Sequence, residues 1–510
     1  MDLNPGISDF EKTYSAGQAQ VVWTTLVGDL DTPVSAYLKL VGAKDLGFLL
    51  ESVEGGANRG RYSFVGCRPD VVWRATGNSA EINRDALTDP NAFQTCPVAA
   101  REGTLKSLRA LLAESQIKMP PAGAHGELPP MATGLIGYLS YDSVRLVENI
   151  PDANPDVLNV PDGMFLRPTV ISIFDNASDV VFVVTPVYPR DGVSATEAFD
   201  AAQARLAKTV SDFESALPPQ PVLEETLDLP EPVSNMEKSA FATMVEKAKE
   251  YILAGDIFQV VLSQRFKLPF SLPPFAFYRS LRRINPSPFL FYLNFGGFQV
   301  AGSSPEILVR LRGGTVTIRP IAGTRPRGTT PSEDKALEED LLADPKERAE
   351  HLMLLDLGRN DVGRVAQVGS VKVTDSYLIE RYSHVMHIVS NVEGKIAPDK
   401  DAIDALYAGF PAGTTSGAPK VRAMEIIDEL EPEKRGIYAG CIGYFGADGD
   451  MDTCIALRTA VIKDGWLYAQ AGGGVVADST AEGEYQESCN KAKALIRAAQ
   501  EAVRYARRNN

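Results

Sequence analysis

The fold class of this chain is decided by the stretch Thr453-Cys-Ile-Ala-Leu-Arg-Thr-Ala-Val-Ile462, which continues through Lys463-Asp-Gly465 into Trp466-Leu-Tyr-Ala-Gln-Ala471. Both long parts are rich in apolar and β-branched residues, which is typical of β-strands. The Asp-Gly pair between them is a strong turn signal. Two strands that are joined by so short a connection pair in antiparallel fashion, so we predict an antiparallel hairpin here.

Similar strand patterns recur along the chain, and long helical patterns interrupt them. Apolar and β-branched runs predict strands at residues 21–26, 134–141, 180–185, 258–266, 289–295, 307–311, 315–321 and 440–445. Helical patterns at 105–114, 195–217, 345–357 and 480–507 separate groups of strands instead of alternating with single strands. That order favours an α+β fold over a doubly wound parallel sheet. We predict large, mostly antiparallel β-sheets that pack face to face and are flanked by helices.

The length and the charge of the chain exclude several classes of protein. With 510 residues the chain is too long for one compact core, and a proline-rich, acidic stretch at 217–235 predicts a linker near residue 225. We therefore expect two closely associated subdomains, residues 1–225 and 226–510. The 51 basic and 66 acidic side chains leave a formal charge of −15, which argues against a nucleic-acid partner.

Cysteine usage and the apolar runs indicate the cellular compartment. No apolar run reaches the roughly 18 residues that a membrane span needs, and the first ten residues lack both a basic flank and an apolar core. The five cysteines form no Cys-x-x-Cys pair and are odd in number, which is typical of reduced thiols. We expect a cytoplasmic protein with no membrane partner.

The first stretch that contains candidate functional residues runs from Asp344 to Gly358. Asp344 is a suitable N-cap and Gly358 a suitable stop for a helix whose later turns carry leucine on nearly every side, so we expect those turns to be buried. Glu350 lies on a stripe that should face protein, where a carboxylate must be neutralised, hydrogen-bonded or bound to a metal. Glu347 equally well fits a capping box with Asp344.

A second acidic pair occurs near the start of the last helix. Glu484, Glu487 and Lys491 share one helical stripe, and Ser479 has capping-box spacing to Glu482. The apolar face of this helix points elsewhere, so periodicity alone favours a solvated acidic turn. Two E-x-x-E pairs can nevertheless converge on one hard cation such as Mg²⁺, which takes only one or two protein carboxylates directly.

Two further segments could bind an anion or a ring. Strand alternation would place Arg458 on a face with small neighbours, leaving room for an anion, although an ordinary strand-edge ion pair explains it as well. Three glycines, Gly472 to Gly474, allow close backbone approach to a ligand but also occur in plain turns. His387 by itself would be a buried, hydrogen-bonded histidine. The stretch 413–420 lacks the spacing of a phosphate-binding loop, so we exclude a nucleoside triphosphate site.

Taken together, these segments resemble anthranilate synthase component I, within the chorismate-binding enzyme family. The resemblance covers most of the chain and rests on specific sequence motifs, including Gly255-Asp-Ile-Phe-Gln-Val-Val261 and Ile318-Arg-Pro-Ile-Ala-Gly-Thr-Arg325. Further matching motifs lie at 344–364, 413–420, 452–458 and 482–491, and shorter ones at 49–52 and 61–64.

The resemblance implies a Mg²⁺-dependent site for chorismate. It implies metal ligands at Glu350 and Glu487, with Glu347 and Glu484 lining the same site. Glu347 occupies the place of a general acid for the departing ring hydroxyl, and a carboxylic acid must be neutral to act so. His387 matches a histidine that assists pyruvate elimination. The implied substrate-binding residues are Gly323, Thr324, Thr414, Tyr438, Arg458, Gly472, Gly473, Gly474 and Lys491.

Gln259 is the most informative single residue for the type of reaction. Related isochorismate synthases carry at this place a lysine that activates water, whereas ammonia is already a nucleophile and needs no such base. The implied activity is amination of chorismate followed by loss of pyruvate to give anthranilate, the first step of tryptophan biosynthesis. Aminodeoxychorismate synthase component I is an alternative, which Ala322 and Thr414 disfavour.

The resemblance also implies partners and regulation. The chain contains no Gly-x-Cys-x-Gly nucleophile elbow, so ammonia must come from solution or from a separate glutamine amidotransferase subunit (component II). We expect a heterotetramer with two copies of each subunit. L-tryptophan is the implied feedback inhibitor, at a site formed by Ser52, Pro288, Phe289 and Leu290. A catalytically silent tryptophan-binding regulator is the remaining alternative, against which the intact acidic residues argue.

Overall fold

The structure is a computed structural model that describes residues 1–42, 46–54, 58–120, 128–219, 230–382 and 385–506. The predicted boundary near residue 225 lies outside these ranges, so the two-subdomain division stays a prediction. None of the described helices is long and apolar enough to cross a membrane.

The described residues form both helices and strands in quantity. The α-helices are α1 Ile7–Ser15, α2 Pro33–Leu40, α3 Pro97–Glu102, α4 Thr104–Glu114, α5 Ala195–Glu214, α6 Lys238–Ala254, α7 Pro274–Ile284, α8 Pro331–Ala343, α9 Pro345–Gly363, α10 Ala402–Gly409, α11 Lys420–Leu430, α12 Ala481–Glu501 and α13 Val503–Ala506. Two short 3₁₀ helices cover Tyr141–Leu146 and Gly413–Thr415.

The strands are β1 Gln20–Val27, β2 Gly47–Glu51, β3 Val53–Glu54, β4 Asn58–Arg59, β5 Tyr62–Thr76, β6 Ser79–Asn83, β7 Gln94–Thr95, β8 Gly134–Leu139, β9 Gly163–Asp175, β10 Val180–Val187, β11 Val233–Ser234, β12 Gln259–Pro269, β13 Phe289–Asn294, β14 Phe298–Ser304, β15 Ile307–Arg312, β16 Thr315–Ile318, β17 Ile321–Pro326, β18 Lys372–Arg381, β19 Val385–Lys395, β20 Gly417–Ala418, β21 Cys441–Gly446, β22 Met451–Ile455, β23 Thr459–Lys463 and β24 Trp466–Val475.

Almost all of these strands belong to one hydrogen-bonded network with two arms, and the neighbouring strands named here are antiparallel. The first arm runs β1-β10-β9-β5-β2-β13-β14-β23-β24-β12. The second arm leaves β9 through β8 and continues β21-β22-β15-β16-β19, with β17 and β18 both paired to β19. The predicted hairpin is present as β23 and β24, and the α+β prediction is confirmed.

The core shows that the two arms pack face to face. One buried cluster joins Phe48 and Leu293 of the first arm to Ile136 and Ile442 of the second. The outer face of each arm is covered by helices: α2, α5, α7 and α12 pack on the first arm, where α6 and α11 also contact β12, and α9 and α10 pack on the second. Burial of apolar surface between and outside the arms is the main stabilising contribution to such layers. Because β2 of the first half pairs with β13 of the second, the two halves share the first arm.

Three local predictions about helix α9 and the strands are wrong. Gly358 does not end α9, which continues to Gly363; a Cβ at Gly358 would lie 3.2 Å from the ring of Pro320, so the small residue permits close packing. Leu352 is 57% exposed, so α9 is not buried on all sides. The run predicted at 315–321 is two strands, β16 and β17, which both pair with β19.

Candidate active site

A cavity of about 1050 Å³ lies where the ends of the two sheet arms meet helices α9 and α12. It brings together residues that are far apart in the sequence and that belong to β12, β17, β19, β24, α9, α12 and the Gly413–Thr415 turn. The predicted site residues that line it are Gln259, Gly323, Thr324, Glu347, Glu350, His387, Thr414, Tyr438, Arg458, Gly472, Gly474, Glu484, Glu487 and Lys491. Gly473 lies between two of them in β24 but is not a lining residue.

The carboxylates of α9 and α12 face each other across this cavity. Burial raises the pKa of Glu350, and the nearby charges of Glu347 and Glu487 raise it further. Burial also raises the pKa of Glu484, against a hydrogen bond of 2.6 Å that Ser479 Oγ donates to Glu484 Oε1. Mutual repulsion between these acids is therefore part of the electrostatics of the cavity.

Glu484 corrects the interpretation of the first turn of α12. Its side chain is only 8% exposed, and its second carboxylate oxygen has no hydrogen-bond partner in the described part of the chain. The N-cap of α12 is Thr480, which accepts from Gly483 N–H, and Ser479 serves Glu484 instead of a capping box with Glu482. Packing of α12 against β24 buries Glu484, which the periodicity had assigned to solvent, whereas Glu487 and Lys491 on the same stripe are about half exposed.

Glu347 does not form the capping box that its position allows. Asp344 does cap α9, accepting from the backbone N–H groups of Lys346 and Glu347. The Glu347 carboxylate, however, lies 3.2 Å from Arg325 Nη1, and the same guanidinium also pairs with Asp344 and Asp340. Glu347 is thus one of three carboxylates that pair with Arg325.

Glu306 is the lining residue of greatest chemical interest that the sequence analysis missed. It lies between β14 and β15, is 8% exposed, and accepts hydrogen bonds of 3.1 and 3.2 Å from Thr414 Oγ1. Burial raises the pKa of Glu306 to about 8, although the Thr414 hydroxyl and the charges of Arg458 and Lys491 oppose the rise. In the sequence, Glu306 is marked only as a single acidic residue between two apolar strand patterns.

His387 is held in one tautomer by β17. Its Nδ1 lies 2.9 Å from the carbonyl oxygen of Gly323, which can only accept, so Nδ1 carries the proton and Nε2 is left as an acceptor. Thr324 Oγ1 lies 3.1 Å from the same nitrogen. Burial lowers the pKa of His387, while the bond to Gly323 opposes that effect. The ring is therefore neutral near pH 7.

Arg458 reaches the cavity by a different route from the one predicted. Strand alternation does not apply to it, because the backbone breaks between β22 and β23 and Arg458 adopts a left-handed φ of 47°. Its guanidinium has no ion-pair partner in the described ranges, so the alternative of a strand-edge pair is wrong there. Burial lowers the pKa of Arg458, with Tyr382 and Glu306 opposing. An unpaired guanidinium in a cavity is suited to an anionic ligand.

The three glycines let β24 pass close to β12 and to side chains that line the cavity. A Cβ at Gly472 would lie 2.3 Å from the Leu262 carbonyl oxygen, and one at Gly474 would lie 2.2 Å from Gln259 Nε2. A Cβ at Gly473 would lie 2.3 Å from Glu484 Oε2. These positions are in a strand and not in a plain turn.

The remaining lining residues complete the walls. Lys491 Nζ lies 3.0 Å from the carbonyl oxygen of Gly472 and 2.7 Å from Glu487 Oε1, so it links α12 to β24. Tyr438 is buried, and burial raises the pKa of its hydroxyl to about 12. Gln259 Oε1 is buried and has no hydrogen-bond partner in the described ranges.

The residues predicted to bind an effector lie together but away from this cavity. Glu51 of β2 is paired with Leu290 of β13, so Ser52 adjoins Pro288, Phe289 and Leu290. None of the four lines the cavity.

Comparison with known proteins agrees with this geometry. The family model described as chorismate binding enzyme matches residues 63–497. The chain is 58% identical over 499 residues to the anthranilate synthase component 1 of Cereibacter sphaeroides, and 46% identical over 500 residues to that of Aquifex aeolicus; both alignments cover 98% of each protein. The crystal structure of anthranilate synthase component I from Streptococcus pneumoniae superimposes with a TM-score of 0.72 at 37% identity, covering 92% of this chain and 98% of that one. The chain therefore belongs to the chorismate-binding enzyme family, among its anthranilate synthase component 1 members.

Proposed function

We propose that the chain is the large subunit of an anthranilate synthase. It aminates chorismate with ammonia and then eliminates pyruvate to give anthranilate, which begins tryptophan biosynthesis. The observation that carries this proposal is the cavity in which acidic, cationic and imidazole groups from distant parts of the chain converge. Full-length identity to proteins with this name supports the same reaction.

The residues at the cavity fit a magnesium ion. In the described ranges no group of three or more carboxylate, histidine or cysteine side chains is arranged to hold a metal by itself, but Mg²⁺ needs only one or two protein carboxylates when substrate and water supply the rest. Glu350 and Glu487 are the proposed ligands, and the unpartnered Oε2 of Glu484 adds a further oxygen donor. The bound ion would neutralise the ring carboxylate of chorismate.

The cationic side chains would hold the rest of the substrate. Chorismate is a dianion, and the net charge of −15 opposes its approach, so attraction must be local. Arg458, with no ion-pair partner in the described ranges, would pair with a carboxylate of chorismate. Lys491 would orient the same carboxylate from α12. The backbone at 472–474 would allow the ring to lie against β24.

Proton transfer to the departing ring hydroxyl is better suited to Glu306 than to Glu347. A general acid must hold a proton at neutral pH, and a pKa of about 8 keeps Glu306 neutral there. Glu347 instead forms an ion pair with Arg325 at 3.2 Å, which engages one of its carboxylate oxygens. We therefore assign the proton donor to Glu306 and a supporting role at the metal site to Glu347.

Gln259 and His387 would act on the nucleophile and on the later elimination. A glutamine has no basic nitrogen, so it orients ammonia by hydrogen bonding and does not activate water. The neutral His387, with Nε2 free to accept, would take up a proton as pyruvate leaves. Thr324 and Gly323 keep the imidazole in this orientation.

Glutamine-derived ammonia would come from a separate amidotransferase subunit, in a complex with two copies of each chain. L-tryptophan would inhibit through Ser52 and residues 288–290, which adjoin each other in β2 and β13. A cytoplasmic location suits the cysteine pattern, since the five cysteines are odd in number and form no Cys-x-x-Cys pair.

One assay tests the main proposal. Purified protein is incubated with chorismate, Mg²⁺ and a high concentration of ammonium at alkaline pH, and anthranilate is followed by its fluorescence. Appearance of anthranilate supports the proposal, whereas aminodeoxychorismate as product, or no product from a folded protein, would reject it.

A further inference from the structure

Arg435 is a fully enclosed cation that does not line the cavity. It lies between α11 and β21 and is 2% exposed. Its Nε and Nη2 donate to both oxygens of Glu431, at 2.9 and 2.6 Å. Its Nη1 donates to the carbonyl oxygen of Thr415 at 2.7 Å, and Nη2 also donates to that of Val261 at 2.6 Å. One side chain thus binds two main-chain carbonyls and a carboxylate.

These partners belong to two different walls of the cavity. Val261 is a lining residue of β12, two positions after Gln259, and Thr415 directly follows the lining residue Thr414. Glu431 strengthens the link, because its Oε1 also accepts from the backbone N–H and the hydroxyl of Ser263 in β12, both at 2.8 Å. The planar guanidinium therefore sets the distance between the strand that carries Gln259 and the turn that carries Thr414.

Two tyrosine rings complete the surroundings of Arg435. Its guanidinium carbon lies 4.8 Å from the ring centre of Tyr141 and 5.5 Å from that of Tyr438. Tyr438 lines the cavity, whereas Tyr141 belongs to the first half of the chain. The next residue, Asp142, accepts a hydrogen bond of 2.8 Å from Gly436 N–H. The first half thus contacts the residue that holds the cavity walls.

We propose that Arg435, paired with Glu431 and packed against Tyr141, is a positioning residue for the substrate cavity. It holds Val261, Thr415 and Tyr438 in the arrangement that chorismate requires, so part of the active-site geometry depends on the first half of the chain. This inference rests on the proposed anthranilate synthase function.

The test removes the charge pair as a unit. Arg435→Met alone would leave Glu431 buried and unpaired, which destabilises a fold for reasons unrelated to positioning. The double variant Arg435→Met with Glu431→Gln removes both charges and keeps an acceptor for Ser263. We expect kcat/KM for chorismate with ammonium to fall about 100-fold, including about a tenfold rise in KM, because small displacements of binding groups are costly.

A matched control lies in the first half of the chain. Arg167 is also buried, pairs through two nitrogens with Asp70 at 2.8 and 2.9 Å, and lies 4.6 Å from the ring of Tyr188, yet neither Arg167 nor Asp70 lines the cavity. Arg167→Met with Asp70→Asn should lower the thermal unfolding midpoint but leave kcat and KM of the folded protein within about twofold of wild type.

Two single variants keep the inference testable if the double variant does not fold. Arg435→Lys retains the charge beside Glu431 but cannot reach the carboxylate and both carbonyls from one point, and Tyr141→Leu removes only the ring. Both should raise KM for chorismate. Values within about twofold of wild type in whichever of these variants fold would overturn the positioning role. A wild-type protein that forms no anthranilate would instead count against the proposed function.

Discussion

Replacement of Glu306 by glutamine should strongly reduce turnover and at the same time stabilise the fold. Glutamine has nearly the shape of a protonated glutamate and can still accept the hydrogen bond from Thr414, but it has no acidic proton to transfer to the ring hydroxyl. The residue is 8% exposed, so its surroundings, and not bulk water, determine its ionisation. Catalysis and stability therefore respond to this change in opposite directions.

The size of the stabilisation follows from the pKa of Glu306. Burial raises this pKa from 4.5 to about 8. At pH values between these two, Glu306 of the unfolded chain releases a proton that Glu306 of the folded protein retains. The wild type therefore loses stability as the pH rises from 4.5 to 8. At about 1.36 kcal/mol per pH unit, the loss reaches about 5 kcal/mol as an upper limit. The glutamine variant has no such loss.

We expect the two proteins to have equal stability near pH 4.5 and the variant to be more stable by up to about 5 kcal/mol at pH 8. Urea titrations of both proteins at pH 5, 6.5 and 8 measure this difference, and other titrating groups cancel because they are common to the pair. The anthranilate assay should show kcat reduced by about 100- to 10,000-fold, the usual loss when a general acid is removed.

Glu306→Asp provides the control, because it keeps a buried acid. It should retain measurable turnover and a loss of stability with rising pH. A glutamine variant with more than about a tenth of wild-type kcat would reject Glu306 as the proton donor. A stability difference that does not change between pH 5 and 8 would show that Glu306 is not held neutral by burial.

Three further substitutions test other parts of the site. Glu350→Gln should weaken Mg²⁺ dependence and activity together, because it removes a charged oxygen from a half-buried carboxylate cluster; an unchanged Mg²⁺ titration would rule out Glu350 as a ligand. Ser52→Phe should relieve tryptophan inhibition while ammonia-dependent turnover persists, as measured by inhibition curves; equal sensitivity would move the effector site elsewhere. Gly472→Ala should raise KM for chorismate and lower the thermal midpoint, because its Cβ would lie 2.3 Å from the Leu262 carbonyl, whereas Gly297→Ala, with no atom within 4 Å, should change neither. Wild-type values for Gly472→Ala would contradict the close approach of β24 to β12.

The fold class was accessible from the sequence because it depends on local patterns. Alternation and the Asp464-Gly465 turn correctly predicted the hairpin of β23 and β24. The prediction failed where the backbone departs from its local pattern, as at Arg458, which lies between β22 and β23 with a left-handed φ of 47°. The pairing of β2 with β13, which joins the two halves in one sheet arm, has no local signal at all.

Most of the predicted catalytic, substrate-binding and metal-binding residues line the cavity, and they were predicted through motifs that resemble one family. Periodicity without that resemblance assigned Glu484 to solvent and left Glu347 as a helix cap. The structure instead buries Glu484 against β24 and pairs Glu347 with Arg325. Which of the acids holds a proton could not be predicted from either source.

The sequence by itself therefore determined most of the secondary structure, the antiparallel class and the set of chemical groups available to the site. Tertiary structure alone decided that burial raises the pKa of Glu306, that Arg458 has no ion-pair partner in the described ranges, and that Arg435 links two walls of one cavity. Backbone conformation depends on neighbours within a few residues, whereas desolvation and charge pairing depend on distances between residues that lie far apart along the chain.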